Sequence, residues 1–182
     1  VVSSSEDKTN CINVLGLNPS RVFLIPDGID PDEFRPSADD REAIRNSLGI
    51  DDSSIVIAFV GNLKGPHNYY AARFIVDKLA RNLSAGASPL RGDIRFLVIG
   101  PYESLPDEWH KNRLVTFTGY VDRVGPWVNA ADICLSPLTS GTGMKTKTIG
   151  YLACGKAVVT TPAGAEGLGL TNGKDALVCG LD

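Results

Sequence analysis

The sequence predicts an α/β fold built around a mainly parallel sheet, and two observations carry that expectation. Short β-branched runs alternate with helical patterns, the order produced by successive βαβ units. The runs are continuously apolar rather than alternating, as expected for strands covered by helices on both faces.

The predicted strands are Val22–Ile25, Ile55–Val60, Ile94–Ile99, Val115–Thr118, Ile133–Ser136, Ala157–Thr161 and Ala176–Cys179. A helix over Asp39–Leu48 stops at Gly49. The clearest helix follows Ile55–Val60: Ala72, Ile75, Val76, Leu79 and Leu83 share one face, with Arg73, Asp77, Lys78 and Arg81 on the others. Ser84–Gly92, rich in Ser, Gly, Ala and Pro, reads as a solvent loop. A short helix over Val124–Ala131 precedes the strand at Ile133, and another ends at Cys154 before Gly155. At the start, Val1–Asp7 reads as the tail of a strand followed by a serine-capped helix that ends near Leu17. Residues 1–20 are therefore expected to be the end of an upstream domain and a linker, with residues 21–182 forming the α/β domain.

At 182 residues, the chain suffices for one packed domain or a domain plus a fragment of another. Its apolar content of 43% and charged content of 21% are those of an ordinary soluble globular protein. A net charge of -3 without a basic stripe argues against a nucleic-acid partner. No apolar window approaches the ~20 residues that span a bilayer, and no signal-peptide pattern opens the chain. The cysteines Cys11, Cys134, Cys154 and Cys179 lack metal-type or redox-type spacing and read as small buried hydrophobes in a reducing compartment. His67 and His110 belong to no metal-type or triad cluster, and no metal or cofactor is expected.

One segment carries a ligand signal. Ser140-Gly141-Thr142-Gly143 lies where the run Ile133–Leu135 gives way to a helical pattern, and Lys145 and Lys147 follow at once. Free N–H groups at a helix start, beside the positive end of the helix dipole, favour a phosphate. The same turn is equally readable as a plain βα connection, and the lysines as solvated charges.

Several stretches, in this order, resemble glycosyltransferases of the GT-B fold. VFLIPDGIDPDEFRPS (22–37) is similar to their linker and first-strand signature, and FVGNLKGPHN (59–68) to the glycine loop after the next strand. FLVIGP (96–101) and VTFTGYVD (115–122) are similar to the strands flanking the donor base. LSPLTSGTGMKTKTIGYLACGKAVVTTPAGAEGL (135–168) completes the set. The chain resembles the C-terminal, donor-binding half of a family 4 type enzyme (glycosyl transferases group 1).

The resemblance implies a Rossmann-like three-layer sandwich, one half of a GT-B fold, whose substrate is a nucleotide-sugar and which needs no metal. It implies transfer with retention of anomeric configuration, with the acceptor site on an N-terminal GT-B domain of the same protein. Any membrane contact would lie in that other half, giving a cytoplasmic protein peripheral to the membrane. By the same resemblance, Gly61 and Asn62 admit the phosphate and sugar, and Lys64 reaches the phosphate. Gly119, Tyr120 and Val121 meet the base, although Tyr120 could instead pack on the neighbouring domain. Thr142, Gly143 and Met144 offer N–H groups to the diphosphate, which Lys145 or Lys147 neutralises.

The sequence departs from the family at both of its usual acidic positions, which fall on Thr142 and Gly150, and has Asp27 where asparagine is usual. By the resemblance, Gly150 removes the ribose acceptor and leaves room for a ligand or a side chain, and Glu166 or a water is the expected substitute. The rival reading is a non-catalytic nucleotide-binding or scaffolding domain. A GT-B epimerase or phosphorylase would need carboxylate, histidine or cofactor-lysine clusters, and a Rossmann dehydrogenase would need a G-x-G-x-x-G turn where this chain has GNLKGP.

Overall fold

The computed structural model describes residues 1–86, 92–140 and 145–181. Helix α1 (Ser5–Asn13) is capped by Ser4, whose hydroxyl accepts the Asp7 N–H. A 3-10 turn at Pro19–Arg21 follows. Helix α2 (Ala38–Leu48) starts at Ser37, which caps Asp40 N, and ends at Gly49 in the left-handed region, φ 62°. Strand β1 (Ile55–Val60) leads into α3 (Pro66–Phe74), a π-helical stretch (Ile75–Ala80) and α4 (Arg81–Ser84). Next come β2 (Ile94–Ile99), α5 (Asp107–His110), β3 (Val115–Phe117), α6 (Gly125–Asn129) and β4 (Ile133–Ser136). Helix α7 (Thr146–Ala153), β5 (Ala157–Thr160), α8 (Pro162–Ala165) and β6 (Leu177–Val178) complete the order.

The strands form one parallel sheet in the order β3-β2-β1-β4-β5-β6. Registers run from Ile55 opposite Ile94 to Val60 opposite Ile99, with Ile57 opposite Ile133. The continuous apolar strands split their side chains between two cores. Phe59, Phe96 and Val98 pack with Ile75, Val76 and Trp109 on one face. Val56, Ala58, Leu97 and Ile99 pack with Val128, Tyr151 and Cys154 on the other. Helices therefore cover both faces, giving the expected three-layer α/β sandwich of Rossmann-like type.

Three expectations need correction. Val22–Ile25 is not a strand: Val2 and Leu24 form only an isolated bridge, and Phe23 and Ile25 are exposed, so no sheet covers that run. The final strand shrinks to Leu177–Val178 at the sheet edge, paired only to β5. Of the cysteines, Cys134 and Cys154 are buried, but Cys179 is exposed and Cys11 half-buried; all are free thiols. Burial pushes the Cys134 thiol up to about 12. The loop expected over Ser84–Gly92 lies largely outside the described residues. Among the described residues no helix is long and apolar enough to cross a membrane.

The strand entrances are held by Asp132. Its carboxylate accepts the Val56 N–H of β1 at 2.8 Å, Arg41 at 2.8 Å and Arg45 at 2.7 Å. Arg45, only 1% exposed, also donates to Ala130 O and Ser54 O. Burial pushes the Asp132 carboxyl up, but the Val56 N–H and the two guanidiniums outweigh it and hold the group below its ordinary range. Asp132→Asn should cost about 2–3 kcal/mol in denaturant unfolding, less than the ~3–5 kcal/mol for breaking a fully buried pair because Asp132 is one-third exposed (33%). A carboxylate whose folded pKa is lowered stabilises above its unfolded pKa of about 3.9 and loses that contribution as pH falls through the folded value. The gap between Asp132→Asn and the parent should therefore close in acid below that value.

Candidate functional site

The sheet order reverses between β1 and β4: the chain goes from β1 to one edge and from β4 to the other. The carboxyl ends of these two strands consequently open a crevice, the usual ligand position in open α/β sheets.

On the β1 side, Gly61 lies too close to its neighbours to be replaced freely. A Cβ there would fall 2.8 Å from the Asn68 side chain and 2.9 Å from the Phe59 ring. Gly100, at φ 133°, approaches so closely that its own Cβ would lie 2.3 Å from Gly61 O. Its N–H donates to Gly119 O at 3.2 Å. The turns after β1, β2 and β3 are thereby stacked against one another.

Asn68, at the start of α3, links both walls. Its amide donates to Asn62 O at 3.0 Å, and its carbonyl oxygen accepts from Lys147 Nζ at 2.6 Å. Lys147 also lies 4.7 Å from the centre of the Phe59 ring, a cation–π distance. Burial pushes the Lys147 ammonium down to about 8, and the nearby Lys145 acts in the same direction. No carboxylate among the described residues forms an ion pair with Lys147, whereas Lys145 Nζ stands 3.7 Å from Glu166. His67 Nδ1 meets Ser140 Oγ at 2.9 Å across the same crevice.

The loop carrying Glu166 is set by close packing at the end of β5. The Thr161 hydroxyl donates to Leu138 O and caps α8 at Gly164 N. A Cβ on Gly164 would lie 2.3 Å from Thr160 Oγ1, so only glycine lets the loop reach this position.

A cavity of about 300 Å³ opens beside Lys147, lined by Gly61, Asn62, Asn68, Thr146 and, on its apolar side, Phe34 and Val124. Phe34 occupies the room expected beside Gly150. A Cβ at Gly150 would stand 2.9 Å from its ring.

The structure thus brings Gly61, Asn62 and Lys147 together, with Lys145 and Glu166 facing each other nearby. Lys64 is directed elsewhere: it pairs with Glu103 at 3.4 Å on an exposed surface. Gly119, at φ 70°, has open space above its backbone, Tyr120 is 74% exposed, and Val121 packs into the core. Thr142, Gly143 and Met144 lie outside the described residues. The lysines are not the solvated charges of the bland reading, since Lys145 is buried and Lys147 is desolvated. Sequence reasoning missed His67, Asn68 and Phe34. All three lie in stretches already singled out, 59–68 and 22–37, but the packing of Phe34 on Gly150, which is distant in the chain, leaves no local signal. Among the described residues no three His, Cys, Asp or Glu side chains converge to hold a metal.

A family model for glycosyl transferases group 1 matches residues 54–181. A D-inositol 3-phosphate glycosyltransferase 2 from Catenulispora acidiphila is 28% identical over all of this chain and 44% of its own length. The chain thus spans less than half of that relative. Among solved structures, Anabaena Alr3699/HepE in complex with UDP and glucose superposes with TM-score 0.77 at 20% identity, over 98% of this chain and 48% of that one. Sucrose-phosphate synthase from Thermosynechococcus elongatus gives TM-score 0.76 at 19% identity, covering 100% of this chain and 45% of that one.

Gly61→Ala should push Asn68 off Lys147 and destabilise the chain by about 1–3 kcal/mol, as overpacking does. Thermal unfolding reads the cost. Adding Asn68→Ala should recover part of it by removing the clash.

Proposed function

The chain belongs to the glycosyl transferases group 1 family, and from that premise we propose that it is the donor-binding half of a retaining glycosyltransferase. It holds the diphosphate of a nucleotide-sugar in the crevice between β1 and β4. The observation that carries this reading is Lys147: a desolvated ammonium at the switch point of the sheet, facing a cavity and paired with no carboxylate among the described residues. Such a cation, compensated by a neutral amide and an aromatic ring, is costly to desolvate, and a phosphate would neutralise it. The start of α7, immediately preceding Lys147, adds the positive end of a helix dipole.

In the proposed reaction the sugar leaves its nucleoside diphosphate, and negative charge grows on the departing phosphate oxygens. Lys147, held by Asn68, is already oriented toward that charge, so little reorganisation accompanies bond breaking. Lys145 and Glu166 form the adjoining wall. The acceptor and the group that activates it belong to the N-terminal domain of the full protein. The UDP bound to the Anabaena protein makes a uridine nucleotide the first donor to test.

The second reading, a non-catalytic nucleotide-binding or scaffolding domain, has one observation in its favour: Phe34 packs where a carboxylate at position 150 would extend. Calorimetry with UDP and GDP, and then with their sugar-linked forms, separates the two. Binding of a sugar-linked form supports the donor role, and no binding of any nucleotide favours the scaffold.

The charge on Lys147 predicts a pH profile. Its ammonium is present below about 8 and is lost as pH rises through that value. UDP affinity should therefore fall between pH 7 and 9, while Lys147→Met should bind about tenfold or more weakly at pH 7, with a flatter profile, as expected for loss of a charged hydrogen bond.

A further inference from the structure

Two side-chain hydrogen bonds cross the crevice, and both start from consecutive residues of α3. The Asn68 carbonyl oxygen accepts Lys147 Nζ at 2.6 Å, and His67 Nδ1 meets Ser140 Oγ at 2.9 Å. Ser140 lies beyond the end of β4, and Lys147 lies in the first turn of α7. The two ends of the stretch 140–147 are therefore tied to one point on the opposite wall. The Lys147 end has a role in the reading above; the Ser140 end has none.

The α3 side of these contacts is a firm base. Pro66 sets the first turn of the helix. The Asn62 side chain accepts the Lys64 N–H at 3.1 Å, and its backbone carbonyl accepts the Gly65 N–H at 3.1 Å and the Asn68 amide at 3.0 Å. On the other wall, Thr161 holds Leu138 O, two residues before Ser140. Among the described residues, the next side chain to hold that segment is His67, from across the crevice.

This contact has the chemistry of a fixture rather than a switch. A neutral imidazole accepts the Ser140 O–H at Nδ1, and an imidazolium donates from Nδ1 to the same oxygen. The hydroxyl rotates to suit either state, so the bond is kept whether or not His67 carries a second proton.

We propose that His67 is a positioning residue of this site: through Ser140 it holds the start of the β4–α7 connection against α3 and so fixes the width of the crevice. The inference rests on the nucleotide-binding reading above. His67 acts without touching the ligand, by removing wall motion that binding would otherwise have to arrest.

The experiment is calorimetric titration of the full chain with whichever of UDP and GDP the parent binds. His67→Ala and Ser140→Ala should each weaken binding about three- to tenfold, the range of one intramolecular hydrogen bond. The double variant should bind no more weakly than the weaker single variant, because both changes remove the same bond. His67→Asn, whose amide reaches the place of Nδ1, should recover most of the affinity lost in His67→Ala. Both residues are exposed, so neither truncation opens a cavity in the core. Unchanged affinity in either alanine variant, or losses that add in the double variant, overturns the proposal and leaves the nucleotide-binding reading standing. His67→Asn binding as weakly as His67→Ala also overturns it, since the imidazole would then act on the ligand itself. Failure of the parent chain to bind either nucleotide overturns that reading and this proposal with it.

Discussion

The Asp132 carboxylate is the fixed point of this fold. It stands at the entrance of β4, takes the first N–H of β1 that faces it, and receives guanidinium groups from two successive turns of α2. A parallel sheet has no hairpins to set the register of adjacent strands, so that register must come from elsewhere. Here the entrances of the two central strands share one acceptor, and the helix that covers them is bound to it. Arg45 is almost wholly buried, yet its donors reach Ala130 O, Ser54 O and Asp132, which makes a buried guanidinium tolerable.

Fixing the entrances also fixes the exits, because strands of matched register end together. The crevice at those exits depends on an opposite strategy, the removal of side chains. Gly61 and Gly100 approach within a distance no Cβ permits, and Gly164 lies against the hydroxyl of Thr160 and the carbonyl of Ser136. Charges anchor one end of the sheet, and missing Cβ atoms shape the other. Lys147 can lie deep among Asn68, Phe59 and the strand ends only because the backbone has been brought this close.

Much of this was legible in the sequence. Ile55–Val60, Ile94–Ile99 and Ile133–Ser136 are long apolar runs between polar segments, and their boundaries agree with the strands. The Ser37 cap and the Gly49 stop are local chemistry, readable within a few residues. Val22–Ile25 has the same composition as a strand, but strand formation requires a partner, and a composition cannot say whether one is adjacent. At the site, Lys145 and Lys147 were marked by their position after a predicted strand and its glycine turn, and Gly61 and Asn62 by the resemblance of the stretch 59–68. The lines of force between them were not. Asn68 acts through its amide on two segments distant in sequence, and the contact of Lys147 with the Phe59 ring joins α7 to β1.

Phe34 and Gly150 show the limit most clearly. Read along the chain, Gly150 is a defect: it lowers helix propensity by about 1 kcal/mol relative to Ala and vacates a position at which an acid is expected. Read in space, it is the complement of an aromatic ring that lies before α2 and returns to cover α7. Partial burial of that ring against the helix backbone offsets the propensity loss, with the roughly 1.5–3 kcal/mol of a fully buried Phe as its upper bound. The substitution is thus one of chemistry as well as volume. Where position 150 could have carried an acid, the helix backbone is covered by an apolar ring, one turn from the Lys147 ammonium.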